Sequence, residues 1–157
     1  MERGATMATA RIADERAVIR VAGDEARAFL HDLVTTDVAG LAPGAARYGA
    51  LLTPQGKYLA DFIMVGEPDA VLIDVEAAQA PALAQRLTMY RLRRKIAIDA
   101  AGLSVVQIWG DGAAGAAQAA GAAAVLCRRS ARRVGRMRGR GGGSRGVGRA
   151  ARGEFDA

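Results

Sequence analysis

The feature that most constrains this chain is a pair of β-prone segments around a tight turn, in residues 48–65. The turn reads Thr53-Pro54-Gln55-Gly56. Proline stands at its second position, where a fixed φ is favoured, and glycine at its fourth, where a positive φ is common. Two apolar segments joined by such a turn predict a β-hairpin. A hairpin commits the fold to antiparallel pairing around these residues.

One carboxylate, Asp61, stands among apolar neighbours in the second arm of the hairpin. Strict alternation places the side chains of this arm on two faces, one with Tyr58, Ala60, Phe62 and Met64 and the other with Leu59, Asp61, Ile63 and Val65. A carboxylate among such neighbours must find hydrogen-bond donors, reach solvent or take up a proton. We therefore expect Asp61 to be a ligand contact; the alternative is a solvated or salt-bridged residue at the sheet edge.

The segments on either side of the hairpin predict further strands and helices. A strand at Ala17–Val21 precedes a helix that we expect to begin at Asp24, whose side chain would cap it. The apolar face of this helix would consist of Ala26, Phe29, Leu30, Leu33 and Val34. A third strand at Ala70–Val75 completes a meander. Pro81 predicts the first turn of a second helix, from Gln79 to about Leu92.

The following segments predict two strands around a turn, a small-residue helix and a last strand, at Lys95–Asp99, Leu103–Trp109, Asp111–Ala120 and Ala122–Leu126. The predicted order is β-α-β-β-β-α-β-β-α-β. Strands that pair in an antiparallel sheet and helices that pack on it predict the α+β class.

Charge divides the chain near Cys127. Residues 1–127 contain 12 Lys and Arg against 14 Asp and Glu, a net charge of −2, whereas residues 128–157 contain ten Arg against two acids, a net charge of +8. We predict a flexible segment at 1–8, in which Met7 is an alternative start, a folded domain at 9–126, and a disordered Arg/Gly-rich tail at 127–157.

Two interpretations of the tail remain open. Arg/Gly-rich segments bind nucleic acid through phosphate contacts. The tail lacks aromatic interleaving, so we expect such binding to be non-specific. The alternative, which we favour, is that the abrupt change of composition reflects a frameshift, because GC-rich DNA encodes Arg, Gly, Ala and Val in any reading frame.

Cysteine, histidine and apolar content exclude several classes of protein. A single cysteine, Cys127, excludes an internal disulfide and is typical of a reducing compartment. The sequence contains neither an apolar run long enough to span a bilayer nor the apolar core of a secretory signal near residue 1. We expect a cytoplasmic protein without a membrane partner. His31 is the single histidine, so no metal site and no Ser-His-Asp or Cys-His arrangement is predicted.

Four motifs now identify a family resemblance across residues 9–126. They are the run Phe29–Val38, the hairpin Leu52–Lys57 followed by Asp61, the segment Tyr90–Ile96 and the segment Val106–Gly110. In this order and spacing they resemble the YgfZ family of folate-binding proteins, which is related to the aminomethyltransferase (GcvT-like T-protein) of the glycine cleavage system. The resemblance implies a tetrahydrofolate-binding fold. It also implies a role in the assembly or repair of iron-sulfur proteins, the client partners, and in bacteria an effect on tRNA modification.

The resemblance also implies roles for individual residues. Asp61 matches the acidic position that faces folate in the aminomethyltransferases. Tyr90 and Arg93 belong to a tyrosine-arginine motif that would bind the glutamate carboxylates of folate or an acidic partner; alternatively, Tyr90 packs in the core and the cations cap a helix. No residue is assigned a catalytic role. Two other functions stay open, a folate-dependent aminomethyltransferase and an Arg-rich nucleic-acid-binding protein.

The chain departs from the family at its cysteine motif. The family's Lys-Gly-Cys-Tyr-x-Gly-Gln-Glu sequence is absent, and Cys127 does not match it because Arg128 and Arg129 follow. We therefore expect a truncated domain, in which one wall of the folate cleft is missing. Weak or absent folate binding would follow, together with an Asp61 that is more exposed than its strand pattern suggests.

Overall fold

Ten secondary-structure elements follow one another along residues 7–119, the part of the chain that the structure, a computed structural model, describes. They are β1 (Thr9–Ile12), β2 (Arg16–Ala22), α1 (Ala26–His31), β3 (Ala46–Leu52), β4 (Tyr58–Gly66), β5 (Ala70–Glu76), α2 (Ala80–Arg91), β6 (Ala97–Ala100), β7 (Val106–Trp109) and α3 (Ala113–Ala119). The predicted strand at 122–126 and the tail at 127–157 lie outside the described residues. The α+β class is confirmed.

Strands β2 to β6 form one antiparallel sheet in the order β3-β4-β5-β2-β6. The predicted hairpin and meander are both present. The amide of Gly56 donates to the carbonyl of Thr53 at 2.8 Å, and Gly56 has a φ of +79°. The turn therefore closes as its sequence predicts and joins β3 to β4.

The core lies between one face of this sheet, which we name the core face, and the helices α1 and α2. Its largest buried side chains include Phe62, Ile73 and Val75 from strands and Phe29 and Leu87 from helices, each at most 2% exposed. Burial of each such side chain stabilises the fold by roughly 1.5–3 kcal/mol. The helical periodicity that predicted α2 is borne out by its burial, since Leu83 and Leu87 are the residues it buries.

Helix α1 is shorter than predicted and is not capped by Asp24. It begins after Glu25, and no side-chain hydrogen bond caps it. The Glu25 carboxylate instead accepts the Lys95 amide at 3.0 Å, so tertiary contact outweighs local capping. At the other end, Val34 leaves the helix and forms an isolated bridge with Leu51 of β3. The apolar spacing at Leu33 and Val34 therefore reflects packing against the core rather than helix.

The predicted pair of strands at 95–109 does not form a hairpin. Strand β6 pairs with β2, whereas β7 pairs with β1. Sequence reasoning did not predict β1, because its four residues are all exposed and carry no apolar periodicity. Residues 13–105 form one compact unit; among the described residues, 7–12 and 106–119 belong to the other. Across residues 7–119, no helix has both the length and the apolar content to cross a bilayer.

Candidate functional site

The carboxylate of Asp61 is held by two tyrosine hydroxyls. The Tyr58 hydroxyl donates to Oδ1 at 2.5 Å, and the Tyr48 hydroxyl donates to Oδ2 at 2.8 Å. We name these three residues the tyrosine clasp. Hydrogen bonds to an ionised carboxylate are stronger than those between neutral groups. The clasp therefore fixes the position of one negative charge on strand β4.

Hairpin register brings Tyr48 to Asp61. Asp61 lies opposite Ala50, and Tyr48 lies opposite Ile63, two residues along the same face. Such diagonal neighbours are within reach of a long aromatic side chain. The contact between Tyr48 and Asp61 therefore follows from the way β3 pairs with β4.

A β-bulge brings Tyr58 to the same carboxylate. Leu51 pairs with Ala60 and Leu52 pairs with Tyr58, so Leu59 has no partner residue in β3. An extra residue in one strand shifts the alternation of side chains by one. The prediction that Tyr58 shares a face with Ala60 and Phe62 is therefore wrong. Tyr58 is 56% exposed and reaches Asp61 instead.

The clasp changes the proton affinities of its members. The hydrogen bond from Tyr58 is the main cause that lowers the pKa of Asp61; burial opposes it, and Tyr48 and Arg16 add to it. The hydrogen bonds to Asp61 raise the pKa of both Tyr48 and Tyr58. Near neutral pH the carboxylate is charged and both phenols are protonated. A carboxylate with a lowered pKa is a weak general base, so this arrangement is suited to recognition more than to proton abstraction.

The face of the sheet that carries Asp61, here the Asp61 face, also carries a second polar contact. Arg16 of β2 donates from Nε to Oδ1 of Asp74 at 2.8 Å and from a terminal nitrogen to the Asp74 carbonyl at 2.9 Å. Asp61 is half-buried, and so are its apolar neighbours Leu59, Ile63 and Val65. Asp61 is thus half-buried, like the apolar side chains of its own face.

One acceptor near the clasp has no partner. The Oε1 atom of Gln79, the N-cap residue of α2, is buried and makes no hydrogen bond within the described part of the chain. The Gln79 side chain lies close enough to Tyr58 to influence that tyrosine, where it opposes the rise in pKa.

Tyr90 and Arg93 lie away from the clasp. Both line an open cleft of about 590 Å³ between α1 and the C-terminal end of α2. Tyr90 is half-buried and packs against the core cluster, on the helix side of the sheet. Asp61 alternates with the buried Ala60 and Phe62 and so points to the opposite side. The structure therefore divides the three predicted site residues between two places.

The charged residues around this cleft are mostly bound within the fold. Arg94 donates to Oδ2 of Asp32 at 2.7 Å, and its guanidinium lies 5.8 Å from the centre of the Phe29 ring. Arg91 donates to the Ile96 carbonyl at 3.1 Å. Arg93 is exposed and makes no hydrogen bond or ion pair with any residue of 7–119. Of the three arginines that line the cleft, Arg91 and Arg94 therefore bind other residues of the fold, whereas Arg93 has no partner within residues 7–119.

His31 contacts a carboxylate and, among the described residues, belongs to no group that could hold a metal ion. Its Nδ1 lies 3.2 Å from Oδ1 of Asp37. Among the described residues, no three His, Cys, Asp or Glu side chains are grouped so that they could hold a metal ion.

Sequence reasoning identified Asp61 but missed both tyrosines. Counting outward from the turn would not have placed Tyr48 beside Asp61, because the bulge shifts the pairing by one residue between the turn and Asp61. The same bulge places Tyr58, and it has no clear signature in the sequence.

Comparisons with known proteins assign this fold to a family. The family model for the GCVT N-terminal domain matches residues 5–131. The human mitochondrial iron-sulfur cluster assembly factor IBA57 is 34% identical over 146 aligned positions, which cover 80% of this chain and 40% of the human protein. The IBA57 homologue of Phaeosphaeria nodorum is 32% identical over 110 positions, or 61% of this chain and 26% of that protein. The chain therefore spans less than half the length of these curated relatives.

A solved structure supports the same assignment at the level of the fold. The glycine cleavage system aminomethyltransferase T from Bartonella henselae superposes with a TM-score of 0.66 and 24% sequence identity. The match covers 74% of this chain and 32% of that protein. The predicted GcvT-like fold is confirmed. Because the family model matches well over half of its length, the chain belongs to the GCVT N-terminal domain family.

Proposed function

We propose that this chain acts in the assembly or repair of iron-sulfur proteins, which would be its client partners. The observation that carries the proposal is the 34% identity to human IBA57 across 80% of the chain, since that relative is named as an iron-sulfur cluster assembly factor. An effect on tRNA modification would be indirect, through tRNA-modifying enzymes that carry such clusters. Cells that lack the gene should have lower cluster occupancy in iron-sulfur proteins, measured by electron paramagnetic resonance, and unchanged occupancy would contradict the proposal.

Tetrahydrofolate is the cofactor that we propose, with its pterin ring at the tyrosine clasp. A pterin presents N–H donors along one edge. Each Asp61 oxygen accepts one tyrosine hydroxyl and keeps a lone pair for a further donor. Ile63 adds apolar surface beside the clasp. These residues fit the donor pattern of the ring.

The proposed role of the clasp is binding rather than group transfer. When bound, tetrahydrofolate supplies a nitrogen that carries one-carbon units. Asp61 would orient the ring and hold a compensating charge, while Tyr48 and Tyr58 keep that carboxylate in place. The alternative of an aminomethyltransferase is less favoured, because hydrogen bonding lowers the pKa of Asp61 and makes it a poor base.

Calorimetry with tetrahydrofolate and the 157-residue chain tests this site. We expect weak binding that Asp61→Asn abolishes, because the amide replaces one acceptor oxygen with a donor. Asp99→Asn is the matched control, since Asp99 is an exposed carboxylate on β6. Folate binding that survives Asp61→Asn, or that Asp99→Asn weakens equally, would exclude the clasp as the pterin site.

The remaining predictions on ligands and location are part of this proposal. The assignment of Tyr90 and Arg93 as ligands of the glutamate end of folate stays a prediction. Both residues lie on the other side of the sheet from Asp61. Non-specific nucleic-acid binding by the tail also stays a prediction, because the tail lies outside the described residues. A cytoplasmic location is also proposed. The names of the human and fungal relatives place those proteins in mitochondria, so cell fractionation is the decisive measurement.

A further inference from the structure

The residue that follows helix α2 is held in a strained conformation. Leu92 has φ 51° and ψ −114°, and it is the one non-glycine residue with a positive φ among those that the structure describes. The Arg94 amide donates to the Arg91 carbonyl at 3.0 Å, so the four residues form a turn of the II′ class with Leu92 at the position that favours glycine. A side chain in such a region costs about 1–3 kcal/mol.

The strained residue also places a large apolar side chain in solvent. Leu92 is 85% exposed, the highest value among the exposed large apolar residues of the described chain. Packing in the fold therefore does not account for the leucine. Glycine would relieve the strain and give up little buried surface. A contact outside the fold would account for a leucine at this position.

A free cation stands beside the exposed leucine. Residues 86–95 contain five cations and no acid. The guanidinium groups of Arg91 and Arg94 are bound within the fold, whereas Arg93 is exposed and has no partner within residues 7–119. The cleft wall between α1 and α2 adds the apolar side chains of Leu33 and Tyr90. The surface thus joins the apolar side chains of a cleft, which Glu25 and Asp32 also line, to the exposed guanidinium of Arg93.

We propose that this surface, the Leu92–Arg93 corner with its adjoining cleft, docks a protein segment that carries apolar side chains beside a carboxylate. The carboxylate would pair with Arg93, whose planar guanidinium can bind both oxygens. The apolar side chains would cover Leu92 and enter the cleft, whose volume of about 590 Å³ suits a few residues. The proposal does not depend on folate binding at the clasp.

Charge and shape favour a protein segment over a nucleic acid. Binding to a phosphate backbone draws on several free cations. Here two of the arginines bind Asp32 and the Ile96 carbonyl, and the apolar Leu92 between Arg91 and Arg93 is 85% exposed. An extended segment with Leu next to Asp or Glu matches both parts of the surface.

Fluorescence anisotropy with the full 157-residue chain tests the proposal. The probe is a labelled ten-residue peptide in which leucines alternate with aspartate and glutamate between Gly and Ser ends. Arg93→Ala should weaken binding about tenfold, as expected for a charge-assisted contact. Lys57→Ala is the control, because Lys57 is an exposed cation on the hairpin turn and the change in net charge is the same. It should leave the affinity unchanged.

Leu92→Gly separates docking from folding. Because glycine accepts a positive φ, we expect the melting temperature of this variant to equal or exceed that of the wild type. Peptide affinity should nevertheless fall at least threefold, through loss of apolar contact. A lower melting temperature would show that Leu92 serves the fold, and it would overturn the proposal.

Three other outcomes would overturn it as well. The first is no binding of the acidic peptide, or equal binding of a peptide with Asn and Gln in place of the acids. The second is single-stranded RNA that binds in an Arg93-dependent manner while the peptide does not. The third is displacement of the peptide by glutarate at micromolar concentration, which would indicate a small-molecule dicarboxylate site.

Discussion

The two faces of the five-stranded sheet are held together by different interactions. On the core face, Phe62 of β4 is 1% exposed and packs among apolar side chains under α1 and α2. On the Asp61 face, the neighbouring residues of the same strand are half-buried, and polar contacts join Asp61 to two tyrosines and Arg16 to Asp74. Strand β4 therefore contributes to the stability of the fold and to the candidate site through alternate residues. The two properties can be changed separately by substitutions one position apart.

The largest expected effect distinguishes Phe62 from Ile63. Phe62→Ala should lower the free energy of unfolding by about 3–5 kcal/mol, because it opens a cavity in a closed core. Ile63→Ala, one position along on the half-buried face, should lower it by about 1 kcal/mol, because less apolar surface is removed from contact. Urea unfolding measures both values. Equal losses would show that the Asp61 face is as closely packed as the core face.

A smaller effect is expected from opening the clasp. Asp61→Asn should lower the free energy of unfolding by about 1 kcal/mol; the two charge-assisted hydrogen bonds lie at partly exposed tyrosines, where solvent competes. Asp61→Asn and Tyr58→Phe each remove the hydrogen bond between these two residues. In a double-mutant cycle, the losses of unfolding free energy in the two single variants should therefore sum to more than the loss in the double variant. Strict additivity would mean that Tyr58 and Asp61 do not interact in solution.

The smallest effect is a change in tyrosine titration. The pKa of Tyr48 and Tyr58 is raised in the folded state, so their stabilising contribution is present below the unfolded value of about 10 and is lost as pH rises through the folded pKa. Asp61→Asn should therefore lower the phenolate midpoint, followed by ultraviolet absorbance. An unchanged midpoint would show that the carboxylate does not accept these hydroxyls.

Ionisation of Asp61 should also make the stability of the fold depend on pH in the acidic range. Because the pKa of Asp61 is lowered in the folded state, its contribution is present above the unfolded value of about 4 and is lost as pH falls through the folded pKa. Below that range, the wild type and Asp61→Asn should unfold at similar urea concentrations. A stability difference that persists at pH 2 would have another cause.

The parts of the fold that depend on neighbouring residues in the sequence were predicted correctly. The turn at 53–56 has its glycine at a positive φ, and Pro81 lies in the first turn of α2, as their sequences indicate. Predictions were wrong where a distant residue competes. Asp24 is a residue type that commonly caps helices, but α1 begins after Glu25. The Glu25 carboxylate accepts a hydrogen bond from the Lys95 amide, seventy positions away. Pairing of β6 with β2 rather than β7 is likewise decided by tertiary structure.

The candidate site was predictable only as far as side-chain alternation holds. Asp61 was identified because its neighbours on the same face are apolar, and that arrangement is present. Its two partners were not identified, since one lies diagonally across the hairpin and the other is placed by a bulge. Arg93 was identified by its motif. Its lack of a partner within residues 7–119 depends on how Arg91 and Arg94 are bound, which composition does not reveal.

The bulge at Leu59 makes the number of residues in β4 relative to β3 a determinant of the site. Because Leu59 has no partner in β3, inserting one residue between Leu51 and Leu52 would restore regular pairing and return Tyr58 to the side of the sheet opposite Asp61. Tyr48, Tyr58 and Asp61 would all still be encoded, yet the carboxylate would have lost one of its two donors. A relative with the same three residues but one more position in β3, opposite Leu59, would therefore lack the clasp. Spacing, as much as residue identity, is what should be compared when this site is sought in other members of the family.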